Sequence, residues 1–132
     1  MKFFIIFTLI FCHFNLFASD CSTELAQEIQ KLEKKVASIK GVLKKHQLPT
    51  KGKIRFVPPK NYKAGQRLKK GPSGGFIDRF GNEWVQGPSR TKGQAFEWDV
   101  QLSAKGKSQL GHLSHGGKKP YINVSLDGKV TH

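Results

Sequence analysis

The stretch Ala95-Phe96-Glu97-Trp98-Asp99-Val100-Gln101-Leu102 alternates apolar and polar side chains from Phe96 onward. Successive strand side chains point to opposite sides of a sheet. Phe96, Trp98, Val100 and Leu102 therefore share one face, and Glu97, Asp99 and Gln101 share the other. The segment is predicted to be a half-buried strand with one polar face. Upstream, Phe76–Phe80 and Glu83–Gln86 flank Gly81-Asn82, the pattern of a compact hairpin. Downstream, Lys107–Leu113 and Tyr121–Leu126 are predicted as two further strands, and Asp127-Gly128 turns the chain into a short final one. The picture drawn from these segments is an antiparallel sheet of four or five strands over residues 75–132.

Ahead of the sheet lies a different period. Leu25, Ile29, Leu32, Val36, Ile39 and Leu43 are spaced 4, 3, 4, 3, 4, an alternating heptad seam with Glu and Lys on the outward faces. Ser22 is a candidate cap, Glu24 and Glu28 lie near the positive end of the helix, and Lys40, Lys44 and Lys45 lie near the negative end. Leu48-Pro49 closes the element. Residues 19–48 are thus predicted to be an amphipathic helix, and the fold class α+β. The seam of residues 22–46 fits two roles: pairing with a second copy or a partner, or lying on the chain's own domain. Residues 49–74 carry eight cations, Pro58-Pro59 and several Gly, and read as an extended or mobile basic linker with one short strand at Ile54–Val57. Such a segment is either an electrostatic arm for phosphate or a solvated spacer.

The first eighteen residues read as a signal peptide: Met1-Lys2 as a positive start, Phe3–Phe11 as an apolar run, and Phe17-Ala18-Ser19 as a cleavage region, cut after Ala18. The run is too short to span a bilayer comfortably, so no stable membrane span is expected after cleavage and the expected location is secreted or periplasmic. Cleavage removes Cys12 and leaves Cys21 as the one cysteine, which excludes an intramolecular disulfide. Cys21 is then a free thiol or an intermolecular bridge.

The formal net charge is +14. Residues 47–132 hold sixteen of the 23 Lys and Arg but five of the nine acids, a surplus of eleven on a small domain. A field of that density implies a polyanionic partner, either nucleic acid, anionic lipid or acidic wall polymer. No Gly-x-Ser-x-Gly, phosphate-binding loop or dinucleotide signature occurs. His112 and His115 have a His-x-x-His spacing, and His132 follows, but one nearby acid and no second cysteine do not make a metal site. No metal and no cofactor are expected. The chemistry compatible with these residues is metal-independent RNA cleavage. There the ribose 2′-hydroxyl is the nucleophile, and the protein positions the phosphate, moves protons and neutralises charge. The competing reading is an exported basic protein that binds polyanions without chemistry.

Several blocks resemble a known family: Gly75-Phe76-Ile77-Asp78-Arg79-Phe80-Gly81-Asn82-Glu83-Trp84, then Gly87-Pro88-Ser89-Arg90-Thr91-Lys92-Gly93, Phe96-Glu97-Trp98-Asp99-Val100-Gln101 and Leu110-Gly111-His112-Leu113. Together they resemble polymorphic toxin domain type 17, a C-terminal toxin module of secreted bacterial effectors. Lys92-Gly93 with Glu97-Trp98-Asp99-x-Gln101 is also similar to the anticodon-nuclease domain of a tRNA-cutting E-group colicin. The resemblance implies a barnase–EndoU–colicin–RelE ribonuclease fold and an endoribonuclease acting on RNA, with tRNA as its target. It implies a 2′,3′-cyclic phosphate product and a dedicated acidic immunity protein as partner. The catalytic candidates are Arg90 and Lys92 on the scissile phosphate, Asp99 orienting a base, and His112 transferring a proton. The substrate-binding candidates are Arg79, Ser89, Thr91, Gln101, and Trp98 as a stacking platform (the alternative for Trp98 being a place in the core).

Overall fold

The computed structural model describes the backbone from Phe3 to Thr131 and side chains from Cys21 to Thr131. Of the expected leader 1–18, Met1-Lys2 and the side chains of the remainder lie outside the described residues, as does His132. The chain divides into two compact units, Met1–Ser38 and Ile39–His132. A long helix, α1 (Phe3–Lys45), supplies the first unit and runs into the second. Among the described residues no helix is long and apolar enough to cross a membrane.

The second unit is built on one antiparallel sheet of four strands in chain order: β1 (Phe76–Ile77), β2 (Glu83–Pro88), β3 (Phe96–Gln101) and β4 (Tyr121–Val124). The α+β class and the four antiparallel strands agree with the sequence reading. Register follows the alternation: Trp84 lies opposite Val100 and Val100 opposite Ile122, while Trp98 lies opposite Val124. These side chains form one apolar layer, each no more than 1% exposed. Aromatic rings tie it together edge to face, Phe96 to Trp98 at 5.3 Å, Phe56 to Trp84 at 5.7 Å and Trp84 to Trp98 at 6.3 Å between centroids. Such pairs add about 0.5–1.5 kcal/mol each beyond simple burial.

The layer is covered by residues expected to be a linker. Ile54, Phe56, Tyr62 and Leu68 are all buried in the same cluster, as is Leu48 just ahead of them. The basic stretch 49–74 is therefore a wall of the core, although no strand forms at Ile54–Val57. Its backbone is satisfied by irregular contacts instead, with Phe56 N–H donating to the Pro49 carbonyl and Ile54 N–H to that of Gly128. Period counting misses this segment because its apolar residues recur at irregular intervals. The end of α1 joins the same core through buried Leu43 and part-buried Ile39 and Val42. The helix stops at Lys45, short of Leu48-Pro49. Gln47 has φ of 56°, and Leu48 N–H bonds back to the Leu43 carbonyl, a left-handed C-terminal closure. The Gln47 carbonyl accepts the Trp98 indole N–H at 3.1 Å, which pins the helix end to β3.

The hairpin between β1 and β2 turns earlier than expected, because Asp78 leaves the strand. Its carboxylate accepts the backbone N–H of Phe80 and Asn82, the Asn82 amide and the Trp84 indole N–H, all within 2.9–3.0 Å. An Asp folding back on its own backbone competes with the ladder, which leaves β1 two residues long. The expected strand at Lys107–Leu113 is a correction. Residues Ala104–Leu110 form α2, and Gly111–Leu113 a 3-10 helix. Ser103 caps α2 by accepting the Gly106 N–H, and the run lacks the period-two pattern a strand needs. After β4, Gly128 turns with φ of 81°, and Val130 makes the short final bridge to Val124.

Candidate active site

Opposite the core, the other face of the sheet is polar at its centre. β3 contributes Glu97, Asp99 and Gln101. Across the register, Asp99 is flanked by Val85 and Asn123, Glu97 by Gly87, and Gln101 by Glu83 and Tyr121. The Asn123 amide donates to the Asp99 carboxylate. Gly87 is the residue that lets the carboxylate lie over β2: a Cβ there would sit 2.5 Å from Asp99 Oδ2. Glu97 is 1% exposed and accepts the Thr131 hydroxyl at 3.0 Å. Burial, then the neighbouring Glu97 carboxylate, pushes the Asp99 pKa above the ordinary 3.8, while the Asn123 hydrogen bond and the Arg90 guanidinium pull it down. A carboxyl group raised in this way is suited to holding and releasing a proton.

The loop 89–95 between β2 and β3 brings Arg90 into the field of Asp99. Ser89 and Thr91 shape it: the Ser89 hydroxyl accepts the Thr91 N–H at 3.0 Å, and Gly93 turns with φ of 83°. These two residues therefore position the cation-bearing loop. Arg90 and Lys92 are both exposed on it. Gln94 anchors its far end by accepting the Leu126 N–H.

Three sequence candidates fall elsewhere. Trp98 is 1% exposed on the core face, so it packs and cannot stack on a base. Arg79 sits in the 78–82 turn and donates to the Pro58 carbonyl. That turn lies at the opposite end of β2 from Arg90, about 17 Å away at strand rise. His112 is exposed on the 3-10 helix, off the sheet. The histidine that reaches the sheet is His115, three residues on. It pairs with Tyr121 at the β4 edge, with ring centroids 5.2 Å apart, and its Nε2 is buried without a hydrogen-bond partner. His115 thus joins the row that holds Gln101 and Tyr121. The His-x-x-His pair was visible in the sequence, but the choice between its members depends on where the 3-10 helix ends.

Gln101 also meets the loop 71–75 at the β1 edge, where the Ser73 hydroxyl donates to its side-chain carbonyl at 3.4 Å. Glu83 holds that loop by accepting the N–H groups of Ser73 and Gly75. Among the described residues no three His, Cys, Asp or Glu side chains gather as metal ligands would.

No curated protein and no solved structure matches the chain. The family Novel toxin 17 matches over residues 37–132, which spans the whole second unit and takes in the polar face, the loop 89–95 and the end of α1. With close to three quarters of its length matched, this chain belongs to the Novel toxin 17 family.

Proposed function

We propose that this toxin-family chain is a metal-independent endoribonuclease, with tRNA as its RNA target, and that its reaction runs on the polar face of the sheet. The supporting observation is the half-buried Asp99 carboxylate, its pKa raised above the ordinary 3.8, beside a cationic loop, with His115 on the same face. In the reaction the 2′-hydroxyl oxygen attacks the adjacent phosphorus and its proton passes to Asp99. The bond from phosphorus to the 5′-oxygen breaks, and that oxygen takes a proton from His115 through Nδ1, since Nε2 is buried. The products are a 2′,3′-cyclic phosphate and a free 5′-hydroxyl. Arg90, with Lys92 beside it, offsets the charge that gathers on the phosphoryl oxygens. Gln101 and Asn123 offer amides to a base edge. The four-stranded meander with a helix end on one face supports a ribonuclease fold of the barnase–EndoU–colicin–RelE kind. The basic field suits an acidic immunity protein as neutralising partner, and the apolar N-terminus supports export.

The test is incubation of the full-length protein with total tRNA in EDTA. Discrete fragments ending in cyclic phosphate are expected. Asp99→Asn and His115→Ala should abolish them, while His112→Ala should cut at close to the wild-type rate. Intact tRNA that is only shifted on a native gel would leave a polyanion-binding protein. Loss with His112→Ala but not His115→Ala would return the proton-transfer role to the 3-10 helix.

The exposed part of the helix seam also fits a partner, a second copy of this chain. Leu25, Ile29, Leu32 and Val36 are 48–61% exposed. An antiparallel alignment sets Leu25 against Val36 and Ile29 against Leu32, and places Glu28 beside Lys35 of the second copy. A parallel alignment sets Glu28 against Glu33 instead. Charge therefore favours the antiparallel pair.

A further inference from the structure

The second unit carries a large cleft, with a volume of about 910 Å³. Its wall includes Lys45, His46, Arg67 and Lys70, and among the described residues no Asp or Glu lines it. Lys70 holds its ammonium 4.6 Å above the Phe76 ring and donates to the Gly74 carbonyl at 3.0 Å, so this cation is fixed at the rim. His46 packs on the same ring at 4.8 Å. Cations gathered without a counter-charge repel one another, an arrangement suited to an anionic ligand.

The cleft is also connected. Ser73 lines it and, on its other side, donates to Gln101 on the polar face. Gln101 lies two residues along β3 from Asp99, about 7 Å away at strand rise. The loop 71–75 is therefore the ridge between Asp99 and the cleft. We infer that the cleft is a phosphodiester-binding subsite, which takes the RNA strand as it leaves the polar face over loop 71–75. The inference rests on the ribonuclease reading for the direction of the strand, but its binding test does not need cleavage.

The probe is a single-stranded DNA oligonucleotide of about twelve nucleotides. It carries the phosphates but lacks the 2′-hydroxyl, so it binds without being cut. Each phosphate neutralised on a single strand contributes about 0.7 to the slope of log affinity against log salt. Arg67→Ala/Lys70→Ala should lower that slope by about 1.4 in the full-length protein. Lys45→Ala/Arg67→Ala should do the same, and this second pair leaves the Lys70 contacts in place if the first disturbs the loop. Lys31→Ala/Lys34→Ala, an equal charge change on the first unit, should leave the slope alone. Shortening the probe to about four nucleotides should erase the difference between wild type and the cleft variants. An unchanged slope in both cleft pairs, or an equal drop in the helix pair, overturns the subsite. Failure of the ribonuclease reading looks different: the slope drops as expected while RNA stays intact.

Discussion

Asp78→Ala tests the account of the fold at its most connected polar group. The Asp78 side chain accepts four hydrogen bonds, and three of the donors sit on two residues almost fully closed to solvent: Asn82 at 2% and Trp84 at 1% exposure. A buried donor left without an acceptor costs about 1–3 kcal/mol. The Asn82 N–H and the Trp84 indole N–H together therefore account for about 2–6 kcal/mol. The Phe80 N–H is part-buried and recovers water, so it adds little. The Asn82 side chain adds a further loss, because its carbonyl oxygen accepts the Ser103 N–H that starts α2. A total of about 3–4 kcal/mol is expected, set against the 5–15 kcal/mol that holds a typical domain together. For a domain near a hundred residues this lowers Tm by about 12–30 °C. Urea unfolding followed by tryptophan fluorescence, together with a thermal melt, measures it. Asp78→Asn should fall between wild type and Ala, since it keeps one acceptor oxygen and turns an N–H₂ toward other donors. A loss below about 1 kcal/mol for the Ala variant would mean that water replaces the carboxylate, and would refute the network as the hairpin's anchor.

Four further predictions concern the site and the helix. Gly87→Ala forces the Asp99 carboxylate off its place against Asn123, so cleavage should fall by about 100-fold while the melt changes little; wild-type cleavage would show that Asp99 need not lie there. The acidic limb of the pH profile for RNA cleavage should lie above 3.8, move up in Arg90→Ala and move down in Glu97→Gln, because Arg90 lowers and Glu97 raises the Asp99 pKa. The sign for stability runs the same way: a raised carboxyl contributes stability that is present below 3.8 and lost as pH rises through its folded value, so Asp99→Asn should gain in Tm at pH 7 relative to pH 3, and equal shifts at both would contradict it. Ile29→Lys should convert a concentration-dependent dimer to monomer in sedimentation, and an oxidised Cys21–Cys21 species in wild type would favour the parallel pairing instead.

The alternation Phe96 to Leu102 was enough to place β3, its two faces and the apolar layer, because a period of two admits one assignment of sides. Gly81-Asn82 and Asp127-Gly128 marked their turns for the equally local reason that glycine tolerates positive φ. The heptad seam marked α1. Other features depended on contacts distant in sequence. Lys107–Leu113 contains Gly111 and few β-formers, yet its helix was decided by the Ser103 cap, itself held by Asn82 twenty-one residues earlier. Ile54, Phe56, Tyr62 and Leu68 follow no period, and they are core only because the sheet's apolar face needs a cover.

The candidate site divides along the same line. Asp99, Gln101, Arg90 and Lys92 were legible by themselves, since strand parity puts the first two on the polar face and the short connection puts the cations at its end. That His115 and not His112 pairs with the sheet, the clearance at Gly87, the burial of Trp98 and the acid-free lining of the cleft were not legible. Each depends on which surfaces meet in three dimensions. Local sequence determines the direction a side chain points from its own backbone, whereas tertiary packing determines what it meets, and reactivity, burial and charge follow from the second.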